Sequence, residues 1–317
     1  MQLSSDFQCQ GWTVKYALFE PESSPNNRSQ ELTTVVFVHG TPWSSIVFHP
    51  ITKALLANGG YRVLLYDVPG YGQSQHIETA STSHSQSSKF AGDTSVKAQA
   101  EVLTELLKHL KLDGRNGNTA PAVIAHDIAG TIALRAHLIN GCDFASLLLM
   151  DTNTVLPWGD GFYKLVRNEP DVFLKLPSEI FEAVVREVTR SAVHDPKRLL
   201  PGWEDKLAEP WIRNDSDSDL TAEEKQMSFV RQIAQANDAD VAEMLDADMY
   251  AKIRCDVKIL WGEQDQWIPG EKMESLAKKA KHCVKEFVTI PEAGHLIMID
   301  QPERVAVEVF SWLARSS

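Results

Sequence analysis

The stretch PAVIAHDIAGTIALRAHLIN, residues 121–140, decides the fold. Its first part, PAVIA, is a short apolar run without alternation, as expected of a strand buried on both faces, and its last part, IALRAHLIN, follows helical spacing. Asp127 stands at the junction, with the small residues Ala125, Ala129 and Gly130 around it. A strand that turns directly into a helix with one polar residue at the turn has the layout of a nucleophile elbow, here with Asp where Ser often sits. Taken alone, Asp127 reads equally well as a helix N-cap, a position that Asp favours.

Similar apolar runs flank this unit: TVVFVHG ending at Gly40, YRVLLYDVPG at Gly70, SLLLMD at Asp151, VKILWGEQD at Asp265 and EFVTIPEAGH at His295. Helical patterns fall between them. Residues 94–112 repeat Val102, Leu103, Leu106, Leu107 and Leu110 at three- and four-residue steps, and 302–314 do so with Val305, Val309, Phe310 and Leu313. The alternation predicts an α/β protein with a mostly parallel, doubly wound sheet. An opening hairpin is expected over 7–20, before a turn-rich stretch at 21–27. The Ser-, Thr-, His- and Gln-rich residues 73–95 read as a solvated loop, and NDSDSDLTAEE at 214–224 as another, leading into a helix capped by Thr221. About a hundred residues of mainly helical pattern, 152–253, separate two strands, far beyond a normal crossover. They are expected to form a helical lid inserted into a core made of 1–151 and 254–317.

Composition narrows the function classes. With 317 residues, 43% of them apolar and 23% charged, the chain has the makeup of a globular protein, and no apolar run approaches a membrane span. Asp and Glu number 43 against 31 Lys and Arg, a net charge of -12 that would repel nucleic acid and anionic lipid. Neither partner is expected. The first residues have no basic or strongly apolar leader pattern, and Cys9, Cys142, Cys255 and Cys283 are far apart without a CxxC pair. These features lead us to expect a cytoplasmic protein with reduced thiols and no metal or other cofactor.

Open parallel sheets build their sites at the carboxyl edge of the strands. Three polar residues fall there: Asp127, Asp265 and His295. Each alone has a plain structural reading, but their order is nucleophile, acid, histidine, as in one hydrolase architecture. A carboxylate is already anionic at neutral pH and can attack a carbon bearing a leaving group without a base. His295 is then free to activate water against the resulting ester, with Asp265 fixing its tautomer and Asp151 in reserve for that task. The Gly40 turn leaves the Thr41 N–H, together with that of Ile128, as the expected oxyanion donors. Trp43, Phe48, His126, Trp158 and Trp267 are the expected substrate wall. Trp211 is a further aromatic near the presumed mouth, and packing between core and lid is the alternative role for each aromatic.

The motifs HGTPWSS at 39–45, DVPGYGQS at 67–74, AHDIAG at 125–130, WGEQD at 261–265 and EAGH at 292–295 together resemble the α/β-hydrolase fold. Within that fold the chain is similar to the Asp-nucleophile branch of epoxide hydrolases, haloalkane dehalogenases and haloacetate dehalogenases. The resemblance implies a cofactor-independent hydrolase acting with water on a small to medium apolar electrophile. An epoxide is the first expectation and a haloalkane the second. A non-hydrolytic binding protein, lyase or isomerase on the same fold is the alternative of another class. There are departures. Thr41 and Ile128 occupy the places where haloalkane dehalogenases carry a halide-binding Asn and Trp, and Ile128 and Thr131 stand where haloacetate dehalogenases carry arginines. The lid tyrosines of epoxide hydrolases have only Tyr163 and Tyr250 as counterparts, neither convincingly placed by sequence, and Phe229 and Val230 lie where one would be sought. Ala125 replaces the elbow's usual first glycine.

Overall fold

The computed structural model describes residues 1–21, 32–78, 90–159, 161–212 and 220–315. The turn-rich stretch beyond Pro21, the middle of the 73–95 loop and the first part of the 214–224 stretch lie outside the described residues.

The chain opens with β1 (Ser5–Cys9) and β2 (Trp12–Phe19), an antiparallel hairpin whose two-residue turn uses Gln10 and Gly11, both at positive φ (51° and 82°). That backbone twist matches the twist of the strands it joins. Then come β3 (Thr33–Val38), α1 (His49–Asn58), β4 (Tyr61–Tyr66), α2 (Val96–His109), β5 (Ala122–His126), α3 (Ile128–Leu138) and β6 (Ser146–Met150). Among the described residues six α-helices follow before the next strand: α4 (Gly161–Asn168), α5 (Pro170–Leu174), α6 (Ser178–Ser191), α7 (Trp203–Ala208), α8 (Ala222–Ala234) and α9 (Ala239–Asp246). The chain closes with β7 (Asp256–Gly262), α10 (Gly270–Lys279), β8 (Val284–Ile290), α11 (Ile297–Asp300) and α12 (Pro302–Leu313).

Among the described residues the eight strands form one sheet in the order β1-β2-β4-β3-β5-β6-β7-β8, parallel except where β1 meets β2 and β2 meets β4. Period-two alternation sends the side chains of each central strand into two cores. Val36, Val38, Val123, Ala125, Leu147 and Leu149 pack with α2 and α3 on one face. Val35, Phe37, Ile124, Leu148 and Met150 pack with α1 and α12 on the other. Burial on both sides is why these strands carry no polar alternation.

The helices between β6 and β7 are fastened to the parallel core by side-chain bonds. Trp211 Nε1 donates to Pro42 O at 2.7 Å and Gln75 Nε2 to Pro210 O at 2.8 Å. Gln235 Oε1 accepts from both the backbone N–H and the hydroxyl of Thr94 at 2.7 and 2.6 Å. Thr221 caps α8 as predicted, with Glu224 returning a bond to the Thr221 N–H. Among the described residues no helix is long and apolar enough to cross a membrane.

Candidate active site

Asp127 sits between β5 and α3 with φ 55° and ψ −127°, a backbone conformation rare for a non-glycine residue. Its backbone is held on three sides: its N–H donates to Met150 O, and its carbonyl accepts from Gly130 N and Asn153 N, each at 3.1 Å. The side chain makes no helix-capping bond, so the N-cap alternative does not account for it. Instead Oδ2 accepts from the Thr41 N–H at 2.9 Å, and the Ile128 N–H also bonds the carboxylate. The N–H groups of Thr41 and Ile128 therefore both reach the Asp127 carboxylate. Burial pushes the Asp127 carboxyl up to about 6, against the pull of His295 and of these two N–H groups. A group with that value is ionised in roughly nine molecules of ten at pH 7.

The Thr41 loop reaches Asp127 because residue 40 lacks a side chain. A Cβ on Gly40 would lie 2.5 Å from Asp127 Cβ, 2.8 Å from Oδ2 and 2.9 Å from the His126 carbonyl. Gly40→Ala is expected to push the Thr41 N–H off the carboxylate and lower turnover by at least about 100-fold, the scale of losing an oxyanion donor, as steady-state kinetics will show.

His295 follows β8, and its Nδ1–H donates to Asp265 Oδ2 at 2.9 Å. Asp265 is itself fixed by the N–H groups of Trp267 and Ile268, which bond Oδ1 at 2.7 and 3.0 Å. This arrangement leaves Nε2 as the basic ring nitrogen, 3.8 Å from Asp127 Oδ1. Asp151, the reserve acid, bonds the Asp265 side chain and not the imidazole. It is fully buried at φ 43° and accepts from the Gly262 N–H at 2.7 Å, tying the end of β6 to β7. Burial, and next to it the charge of Asp265, push its carboxyl well above the usual carboxylate range. His126 lies beneath the site, its Nε2–H donating to His295 O at 2.8 Å. Burial and the neighbouring His295 hold its imidazole well below the usual range, so it remains neutral.

A cavity that opens to solvent lies over Asp127. Of the predicted wall, Trp158 and Trp267 line it together with Thr41 and Ile128. Trp43, Phe48 and His126 do not. Trp43 stacks behind Trp267 (centroids 5.8 Å), Phe48 packs on Phe37 (4.7 Å) in the core beneath the opposite sheet face, and His126 is enclosed below His295. Trp267 stacks in turn on the His295 ring at 4.8 Å, and Tyr163 of α4 meets the edge of Trp267 at 5.6 Å. Tyr163 thus lines the cavity, whereas Tyr250 is buried among core contacts. Sequence reading missed Tyr71, Asn153 and Gln232, all of which face the same space. Their burial, like that of Lys225, Gln226, Ser228 and Arg231 on α8, is visible only in the packed structure.

A family model described as the alpha/beta hydrolase family matches residues 35–309. Among solved structures the chain is similar to an alpha/beta hydrolase fold protein from Burkholderia ambifaria, at 28% identity over 98% of both chains with a TM-score of 0.80. It also resembles a thermophilic esterase from Thermogutta terrifontis (20% identity, 96% of this chain and 94% of that one, TM-score 0.67). A candidate epoxide hydrolase from Pseudomonas aeruginosa shares 19% identity over 98% of this chain and 95% of that one, with a TM-score of 0.66. No curated protein matches the sequence.

Proposed function

The chain belongs to the alpha/beta hydrolase family, and from that premise we propose that it hydrolyses an apolar epoxide through a covalent ester on Asp127, with no cofactor. The supporting observation is the aim of the Asp127 carboxylate. One oxygen is held by the Thr41 N–H at 2.9 Å, while the other lies 3.8 Å from the Nε2 of an imidazole engaged by Asp265. A serine-type esterase mechanism needs a hydroxyl at the elbow, and Asp stands there instead.

In the first step Asp127 Oδ1 bonds to a ring carbon, the ring C–O bond breaks, and its electron pair goes to the departing oxygen. Tyr163, on the cavity wall, supplies that oxygen's proton. In the second step His295 takes a proton from water, and the hydroxide adds to the ester carbonyl. The charge gathers on Oδ2, which the Thr41 N–H already holds, with the Ile128 N–H as the second donor to the group. Collapse expels the diol, which takes the proton from the imidazolium, and the proton left on Asp127 returns through solvent to Tyr163. Residues 152–253 act as the lid in this reading, with 1–151 and 254–317 as the core. The contributions of Trp158, Tyr163 and Gln232 to the cavity support it.

Assayed with parallel epoxide and haloalkane panels, the protein is expected to open epoxides and release no halide. Halide release without diol formation would transfer the reading to a dehalogenase. Stabilisation by ligands without any turnover would make it a binding protein. The pH profile carries a second expectation. Protonation removes the nucleophile, so kcat/KM should fall about tenfold per pH unit on the acid side of a limb near the Asp127 value of about 6. A flat profile down to about pH 4.5 would mean that no such carboxylate takes part.

A further inference from the structure

Gln232 projects from α8 into the cavity above Asp127 and is only 2% exposed. Its Oε1 is occupied, because the Thr41 hydroxyl donates to it. The Thr41 hydroxyl is in turn bonded by Tyr71, another cavity residue. Burial pushes the Tyr71 phenol up, so it keeps its proton. Tyr71, Thr41 and Gln232 thus form one line of hydrogen bonds from core to α8, and the backbone N–H of the same Thr41 holds Asp127. Donation by the Thr41 hydroxyl to Oε1 sets which way the amide faces. Gln232 Nε2 is left buried, with no hydrogen-bond partner among the described residues.

A buried donor without an acceptor is costly, and the cavity that Gln232 faces has the apolar Ile128, Ile233 and Ala236 on its wall beside the polar Asp127 and Asn153. The geometry points to Gln232 Nε2 as the donor that holds the departing oxygen of the epoxide. This inference rests on the aspartyl-ester reading of the site. As the ring C–O bond breaks, the electron pair moves onto an oxygen that receives the Nε2–H hydrogen bond, and Tyr163 provides the proton that the amide does not give up. Charge on that oxygen is greatest as the bond breaks and is gone once the ester has formed, so Gln232 acts on ester formation and not on ester hydrolysis.

Single-turnover rapid quench with a styrene-oxide-type epoxide separates the two steps, with the Asp127 peptide followed by mass spectrometry. Gln232→Met, of similar length but without donors, is expected to slow ester formation about 10- to 100-fold, the worth of a hydrogen bond to a charging atom, while leaving ester hydrolysis within about twofold. Gln232→Glu, closest in shape, keeps the test intact should the Met variant fail to fold, and is also expected to slow the first step. Unchanged ester formation in the folded variants would overturn the inference and leave the ester mechanism standing. Equal slowing of both steps would overturn it too, because it would show that Gln232 only supports the shape of the site. Absence of any ester on Asp127 with Gln232 intact, including in a His295→Gln background, would instead remove the mechanism on which the inference rests.

Discussion

The His295→Gln variant is expected to become trapped as a stoichiometric ester on Asp127. Attack by a carboxylate that is already ionised needs no base, so the first half-reaction continues; the second loses the group that activates water, a loss of about 10²- to 10⁴-fold in ester hydrolysis. Intact-mass measurement after exposure to an epoxide should show one added substrate mass, and peptide mapping should place it on the segment containing Asp127. Asp127→Ala should take up none. The geometry supports this division of labour. Asp127 Oδ1 stands 3.8 Å from Nε2, and an ionised carboxylate has no proton to give the ring before it attacks. Rapid turnover by the His295→Gln protein, with no adduct, would mean that the imidazole is not the base for the water step.

The second large effect concerns the acid. Asp265→Asn is expected to lower turnover by about 10⁴-fold, by analogy with the loss of tautomer control in a serine triad. Asp265 Oδ2 accepts from Nδ1 at 2.9 Å, and its other oxygen is locked by two backbone N–H groups. An amide held in that cradle has to turn its NH₂ toward the ring, which moves the imidazole proton to Nε2 and removes the free base. Asp151→Asn serves as the contrast. Its carboxyl, already pushed toward the neutral form by burial and by Asp265, meets the Gly262 N–H, and an Asn carbonyl accepts that bond equally well. Turnover within about tenfold of the parent is expected there. Steady-state kinetics on the two variants decide between the acids, and a larger loss at Asp151 than at Asp265 would reverse the assignment.

Both effects depend on positions that sequence reading could reach, because a residue at the end of a buried strand has nowhere to go but the carboxyl edge of the sheet. Asp127, Asp265 and His295 each follow such a run, and the order of runs fixed their approximate convergence. The cavity wall was less legible. Trp43 and Phe48 lie close to Thr41 along the chain, yet the turn at 45–48 carries Phe48 to the core under the opposite sheet face, so nearness in sequence did not become nearness in the cavity. His126 neighbours Asp127, but strand alternation points adjacent side chains to opposite sides. Tyr163 and Gln232 come from helices whose placement depends on how α4 and α8 pack over the sheet. Neither periodicity nor motif spacing encodes that placement, and only the packed structure brings Gln232 to Thr41 and Tyr163 to Trp267.

The most direct test of the central claim is a single turnover of an epoxide in ¹⁸O-labelled water with enzyme in excess. If Asp127 attacks carbon, the new oxygen of the diol comes from its carboxylate, while water replaces that oxygen during ester hydrolysis. The first-turnover diol should therefore be unlabelled and the peptide containing Asp127 should carry one ¹⁸O. Label in the diol with none in the peptide would contradict the account, showing that water attacks the epoxide directly and that Asp127 forms no ester.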